Sequence, residues 1–389
     1  MEFTFDDTQL AIQESASGLF AGLVSPERVA EIEATEDRFD RTLWAELAQA
    51  DLLGLTVPEQ DGGGGFGLVE LALVLEAQGR SVALVPLWAS TTLGSMPLAR
   101  FGSDDLRSEV LPAVVSGGTV LTGALTDVAG DLALGGPGRP GVEARPAGGT
   151  AGGVVLSGTA FAVPYAHVAD RVLVPASLDG GVVVAVVRTD TPGLTIERAT
   201  TTNREIHPHL HFDGVEVDAG HLLAGGDPAR GTEVLTWILE RAWTGLCALQ
   251  VGVTEAAVAQ TAQYLNTREQ FGRPLATFQG TMLRAADAAI DTESIRVTMW
   301  QAAWRLDQGL DADLAVSVAS WFAAEAGQRA VFATQHLHGG MGADISYPIH
   351  RYFLWGKQIE LLLGPPSGQL ARLGGQLVDE LKAGRPVSV

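Results

Sequence analysis

From Thr232 to Asn266 the chain runs without a proline. Leu235, Ile238, Leu239, Trp243, Leu246 and Leu249 recur there at the spacing of one helical face. Met282 to Asp307 and Ala312 to His336 read as two more long helices. Helices this long, apolar on more than one stripe, pack as an antiparallel bundle and often continue into an oligomer interface. A long helical bundle therefore has to form the C-terminal part of the molecule.

The remainder divides by pattern. Up to residue 118 short helices are expected. Ile12, Ala16, Leu19 and Leu23 form one stripe, and Leu43, Leu47 and Leu68, Leu71, Leu75 mark others. The run Gly62-Gly63-Gly64-Gly65 between them reads as a flexible loop, and no Lys-Ser/Thr follows it to make a Walker-type phosphate loop. From 119 to 228, Val154–Leu156, Val172–Val174, Val182–Val187 and Leu194–Ile196 are β-rich runs between Gly, Pro and Asp turns. Gly135 to Gly153 is so rich in Gly and Pro that a long, mobile surface loop is expected. The fold class is α+β: an N-terminal α-helical domain (1–118), a middle antiparallel β domain (119–228) and a C-terminal four-helix bundle (229–389). No internal repeat is seen.

A net charge of −21 argues against a nucleic-acid binder, so a bound polyanion must be met by a few local Arg residues or helix N-termini. The single cysteine, Cys247, cannot form an internal disulfide and reads as reduced and buried. The N-terminus has neither a basic n-region nor a long apolar h-region, and no strand-like run is long enough to span a bilayer. A cytoplasmic location is the expectation, with no nucleic acid and no membrane span.

Two segments carry the candidate chemistry. Thr267-Arg268-Glu269-Gln270-Phe271-Gly272-Arg273-Pro274, followed by Phe278-Gln279, breaks the path between two long helices. Orphan N–H groups beside an Arg suit a pyrophosphate, whereas a plain αα-hairpin with a solvated Arg explains the same residues. Gln335-His336-Leu337-His338-Gly339-Gly340-Met341-Gly342 ends another helix; its glycines serve either a helix cap or the close approach of a ligand.

Together, between these helices, the two segments resemble the acyl-CoA dehydrogenase family, and the helix–sheet–helix order extends the resemblance over essentially the whole chain. It implies α,β-desaturation of an acyl-CoA thioester with FAD as cofactor. An electron-transfer flavoprotein-type acceptor and a homo- or hetero-tetramer are implied with it. It implies FAD contacts for Arg268, Gln270, Phe271 and Gln279, and contacts to a neighbour's FAD for Gln335, Gly339 and Gly340. Thr126 matches the residue that bonds the flavin's pyrimidine edge.

The chain also departs from the family. Thr126-Asp127-Val128-Ala129-Gly130-Asp131 lacks the Ser of the corresponding segment, and Ala162-Val163-Pro164-Tyr165 replaces the usual flavin N5 donors. Removing a substrate α-proton requires a carboxylate near Cα. The usual base position holds Leu363, and the alternative position, on the helix before the Arg268 turn, holds Ala242. Glu240, two residues earlier on that helix, is the substitute candidate; Glu360 is the other. Each also reads as an exposed helical carboxylate pairing with Arg241 or Lys357. The resemblance to actinobacterial α2β2 relatives, in which one subunit type carries the base, explains both departures.

The remaining readings are a catalytically silent scaffold and a flavin monooxygenase or oxidase on the same architecture. His207, His209 and His211 alternate along one strand face, but no Cys or clear fourth ligand accompanies them, and no metal is expected. Trp243, Trp300, Trp304 and Trp321 read as core or interface residues. Trp243, next to the alternative base position, also suits an acyl-tunnel wall.

Overall fold

The structure is a computed structural model, and it describes residues 4–133, 138–148 and 152–384. The helices are α1 (Asp7–Leu23), α2 (Pro26–Glu33), α3 (Arg41–Gln49), α4 (Leu68–Ser81), α5 (Leu87–Ser90), α6 (Met96–Phe101), α7 (Asp104–Val115) and α8 (Thr126–Ala133). After the sheet come α9 (Gly231–Thr267), α10 (Gln279–Asp307), α11 (Asp313–Leu337), α12 (Ile349–Leu363) and α13 (Pro366–Lys382). The strands are β1 (Leu121–Gly123), β2 (Val142–Pro146), β3 (Val154–Ala160), β4 (Arg171–Leu178), β5 (Gly181–Arg188), β6 (Leu194–Glu197) and β7 (His209–Val217). A small ribbon, β8 (Glu269–Gln270) and β9 (Arg273–Pro274), sits between α9 and α10. Contacts divide the chain into two compact units. One comprises residues 1–29, 72–83 and 243–389, the other 30–71 and 84–242.

The second unit holds a seven-stranded sheet in the order β1-β4-β2-β3-β7-β6, with β5 on β4. The β4–β5 hairpin follows from its sequence. Asp179 (φ 49°) and Gly180 (φ 83°) both take the left-handed conformation that matches a two-residue turn to strand twist. The sheet is largely antiparallel, as expected, but β1 and β2 both run parallel to β4. These strands of 3 and 5 residues are too short to show their partner in the sequence pattern. Strand β2 lies inside the Gly/Pro-rich stretch read as one mobile loop, and it pairs with β3 from Val142↔Gly158 to Pro146↔Val154. Of that stretch, 135–137 and 149–151 lie outside the described residues.

The run Gly62–Gly65 is a tight turn rather than a flexible loop. The Gly64 and Gly65 N–H groups donate to Gly54 and Val57 carbonyls, and a Cβ on Gly63 would stand 2.3 Å from Val57 O. Glycine is required there by backbone packing, not by a ligand.

In the first unit, α4 and α9 meet almost backbone to backbone. A Cβ on Gly79 would lie 2.2 Å from Leu249 O, and one on Gly252 would lie 2.0 Å from Glu76 O. Glu76, buried at this crossing, accepts from Arg80 Nη2 (3.0 Å) and Arg296 Nη1 (2.9 Å), while Arg80 Nε reaches Glu255 (2.6 Å). Burial pushes the Glu76 carboxyl up to about 7 despite both guanidiniums. Its folded-state value lies above the ordinary 4.5, so the folded chain holds this proton more tightly. The contribution is full below pH 4.5 and is lost as pH rises through 7. A loss of about 3 kcal/mol is expected across that window. Glu76→Gln should flatten this part of the stability–pH profile. Denaturation midpoints between pH 5 and 8 check it, and parallel profiles for the two proteins would contradict it.

Helix α9 is long and apolar enough to cross a membrane, but 78% of its most apolar window is buried inside the molecule, as in a core helix. Cys247 on α9 is a buried free thiol, and burial pushes it up to about 12.

Candidate functional site

The Arg268 segment folds as a ribbon rather than a plain helix–helix turn. Gln270 pairs with Arg273, Leu275 N donates to Arg268 O (2.8 Å), and Phe271 (φ 54°) and Gly272 (φ 75°) make the reversal. Gly272 takes the left-handed backbone without a Cβ to oppose it. Phe271 shares it, with its ring 94% exposed. A non-glycine residue in the left-handed region costs about 1–3 kcal/mol, and such residues cluster at active sites and ligand clamps. Arg273 lies over the Phe278 ring at 4.1 Å. Phe278 caps α10 without a side-chain hydrogen bond, so the helix enters at Gln279 with no N-cap side chain on its first N–H groups. Arg268, Gln270 and Gln279 are all exposed here.

At the end of α11 the three glycines separate by role. Gln335 Nε2 donates to Gly342 O (2.8 Å), and a Cβ on Gly342 would meet Gln335 O at 2.3 Å, so Gly342 serves packing. Gly339 takes φ 58° and serves the turn. A Cβ on Gly340 would touch nothing within 4 Å, which leaves bare backbone open to an approaching group. Tyr264, one helical turn before Arg268, stacks on His338 at 4.5 Å, just before Gly339. That stack ties the two segments together within one chain. His338 is buried, bonds Thr334 O through Nδ1 (2.8 Å), and is held below its ordinary range by burial. Sequence reading passed over Tyr264, which lies just before the first motif, and quoted His338 inside the second without giving it a role.

On α8 and the loop after β3, the donor groups of the candidate flavin wall are already used. Thr126 Oγ1 donates to Ala162 O (3.0 Å), and Phe161 N donates to Asp127 Oδ2 (3.2 Å). Ala162 N donates to His209 Nδ1 (3.0 Å), Val163 N to Pro208 O (2.8 Å) and Tyr165 N to Ile206 O (3.1 Å). Pro164 has no N–H. Behind this segment, Tyr165 donates to Glu205 (2.9 Å), and His207 meets the other Glu205 oxygen at 3.2 Å. Burial opposes the Glu205 charge, but its bonds to His207, Asn203 and Tyr165 win and hold it below its ordinary range; burial pushes Tyr165 well up. The three histidines are thus absorbed separately, since His211 bonds Thr159 (3.1 Å) and Glu197 (2.7 Å).

The two positions at which the family resemblance places the base are apolar and closed. Leu363 is 0% exposed and Ala242 is 3% exposed. Glu240 lies 3.7 Å from Arg241, whose guanidinium covers the Trp237 ring at 3.8 Å. Glu360 accepts from Lys357. Trp243 is buried under Arg372, 4.3 Å above its ring.

Comparison with known proteins follows this geometry. The model of the acyl-CoA dehydrogenase N-terminal domain matches residues 6–118, and that of the C-terminal domain matches residues 229–376. Acyl-CoA dehydrogenase FadE27 of Mycobacterium tuberculosis (strain ATCC 25618 / H37Rv) is 38% identical over 387 residues, covering 97% of this chain and 99% of the relative. A solved variant of the Tcur3481–Tcur3483 steroid ACAD superposes with a TM-score of 0.88 at 42% identity, covering 97% of this chain and 99% of that one. A chain of the ChsE4–ChsE5 complex from Mycobacterium tuberculosis superposes with a TM-score of 0.89 at 38% identity, with the same coverage.

Proposed function

The chain belongs to the FAD-dependent acyl-CoA dehydrogenase family, and on that premise we propose that it is the base-lacking subunit of a heteromeric acyl-CoA dehydrogenase. The observation that carries this reading is the pair of closed apolar side chains, Leu363 and Ala242, at the two positions from which the family's base acts. An α-proton can be taken only by a carboxylate within hydrogen-bond reach of Cα, and neither position offers one. Glu240 is the carboxylate nearest the alternative position along α9, and its charge is engaged by Arg241. The partner chain therefore supplies the base. The likeness to the Tcur3481–Tcur3483 steroid ACAD and the ChsE4–ChsE5 complex supports a heteromer and a bulky, steroid-type CoA thioester as substrate.

FAD supplies the hydride acceptor for this chemistry when bound. The residues present fit its adenosine diphosphate end. Arg268 and the uncapped start of α10 at Gln279 suit the diphosphate, Gln270 and Phe271 flank it, and Gln335, Gly339 and Gly340 suit a neighbouring cofactor's adenosine. The sheet does not fit the ring end in the family's manner, because every N–H from Phe161 to Tyr165 is spent inside the chain. Thr126 has given its proton to Ala162 and keeps only acceptor capacity. The role of this chain is to hold and orient one end of a cofactor whose reactive end faces the partner. The three-domain division at 118/119 and 228/229, a cytoplasmic location, a tetramer and an electron-transfer flavoprotein-type acceptor belong to the same proposal.

The test is retained FAD. Arg268→Ala in the purified assembly should weaken FAD binding by roughly 10- to 100-fold, the scale of one lost charge-assisted contact. Thr126→Val should leave it nearly unchanged. Flavin content after dialysis checks both, and the reverse ranking would overturn the assignment.

A further inference from the structure

Between α5 and α6, residues Thr91–Ser95 form a π-helical turn, and every residue from Leu87 to Leu98 is buried. A π-turn wastes hydrogen-bond geometry and recurs at functional sites. Here its polar groups face inward onto the chain's own backbone: Thr91 Oγ1 donates to Leu87 O (2.7 Å) and Thr92 Oγ1 to Trp88 O (2.8 Å). Trp88, on α5 just before the turn, reaches α9, where its indole N–H donates to the carbonyl of Ala242 at 2.9 Å. Ala242 holds the alternative base position of the family resemblance, and the largest side chain of this segment packs against the backbone of α9 at that position.

We infer that Trp88 is a plug: it fills the space beside position 242 that the reacting end of an acyl chain needs, and so closes this chain's own acyl cavity. The inference rests on the reading of position 242 given above and deepens it. A wall that lines an open acyl cavity exposes apolar side chains to water when nothing is bound. Trp88 and Met96 are each 9% exposed, Leu93 and Ala242 are each 3% exposed, and Thr92 and Ser95 are at 0%. Protein atoms alone cover this wall. A plug has a reason to exist in a subunit without a base, since a thioester bound there would be held without turnover and would compete with the partner's site.

The test compares CoA with octanoyl-CoA on the full-length chain by calorimetry, so that the difference reports the acyl tail alone. The wild-type chain should bind both with the same affinity. Trp88→Ala should bind octanoyl-CoA at least about tenfold more tightly than CoA, the increment a few buried methylenes supply. Added indole should remove that increment by refilling the space. Trp88→Phe keeps the ring, loses the N–H and should remain closed. A folded Trp88→Ala chain with no acyl increment overturns the inference, and so does a wild-type chain that already shows one. Where Trp88→Ala fails to fold, Trp88→Leu should show a smaller increment, and none at all overturns the inference. Turnover in the same samples reads the premise separately. Acyl binding without desaturation by the wild-type chain removes the plug only, whereas desaturation by that chain alone removes the base-lacking subunit.

Discussion

Purified alone, the chain should desaturate acyl-CoA thioesters about 10²- to 10⁴-fold more slowly than its assembly with a base-bearing partner, the range that a positioned general base contributes. The magnitude follows from what is missing. Leu363 and Ala242 accept no proton, and both are shut away from solvent. Glu240 and Glu360, expected as exposed carboxylates, are largely buried with side chains 13% and 14% exposed, and each is held by a neighbouring cation, Arg241 or Lys357. Replacing either by alanine in the assembly should therefore leave kcat and its pH profile where they are. A chain that turns over unaided, and loses that turnover on Glu240→Ala, would assign the base to Glu240 instead.

Restoring the family's carboxylate by Leu363→Glu should not create an enzyme; it should destabilise the chain by about 3–5 kcal/mol at neutral pH. Leu363 is fully buried at the end of α12, and its carbonyl already accepts from Gln369 Nε2. A carboxylate placed there is taken out of water and must either ionise at that cost or stay protonated. Its value would rise above the ordinary carboxylate range, so the penalty should shrink as pH falls. Urea midpoints at acid and neutral pH measure both the loss and its sign. Wild-type stability with gained turnover would mean that the position opens onto substrate.

The long elements were legible because their signals are long. The α9 pattern read from Thr232 to Asn266 became Gly231–Thr267, and the stretch expected to begin at Met282 became Gln279–Asp307. The Asp179-Gly180 turn joins two of the β-rich runs that were read between Gly, Pro and Asp turns. What stayed hidden was set by partners distant in sequence. The strand inside the Gly/Pro-rich stretch exists because β3 offers it an edge, and β1 and β2 run parallel to β4 without any local mark of it. Gly63, Gly79 and Gly252 are fixed by atoms of other segments, which glycine letters alone do not reveal. In the candidate site, the residues from Arg268 to Gln279 were singled out by the family resemblance of their segment. Phe271 sharing the left-handed turn, the Tyr264–His338 stack and the Trp88–Ala242 bond were not, because each joins residues that have no meaning until the chain is folded.

The most direct measurement is the anaerobic visible spectrum of the chain alone and of the reconstituted assembly as a steroid-type acyl-CoA is added. Flavin absorbance that bleaches in the assembly, with no bleaching by the chain alone whether or not it retains FAD, is the result expected of a base-lacking subunit. Stoichiometric bleaching by this chain alone would contradict it and would mean that a base is present within its own sequence.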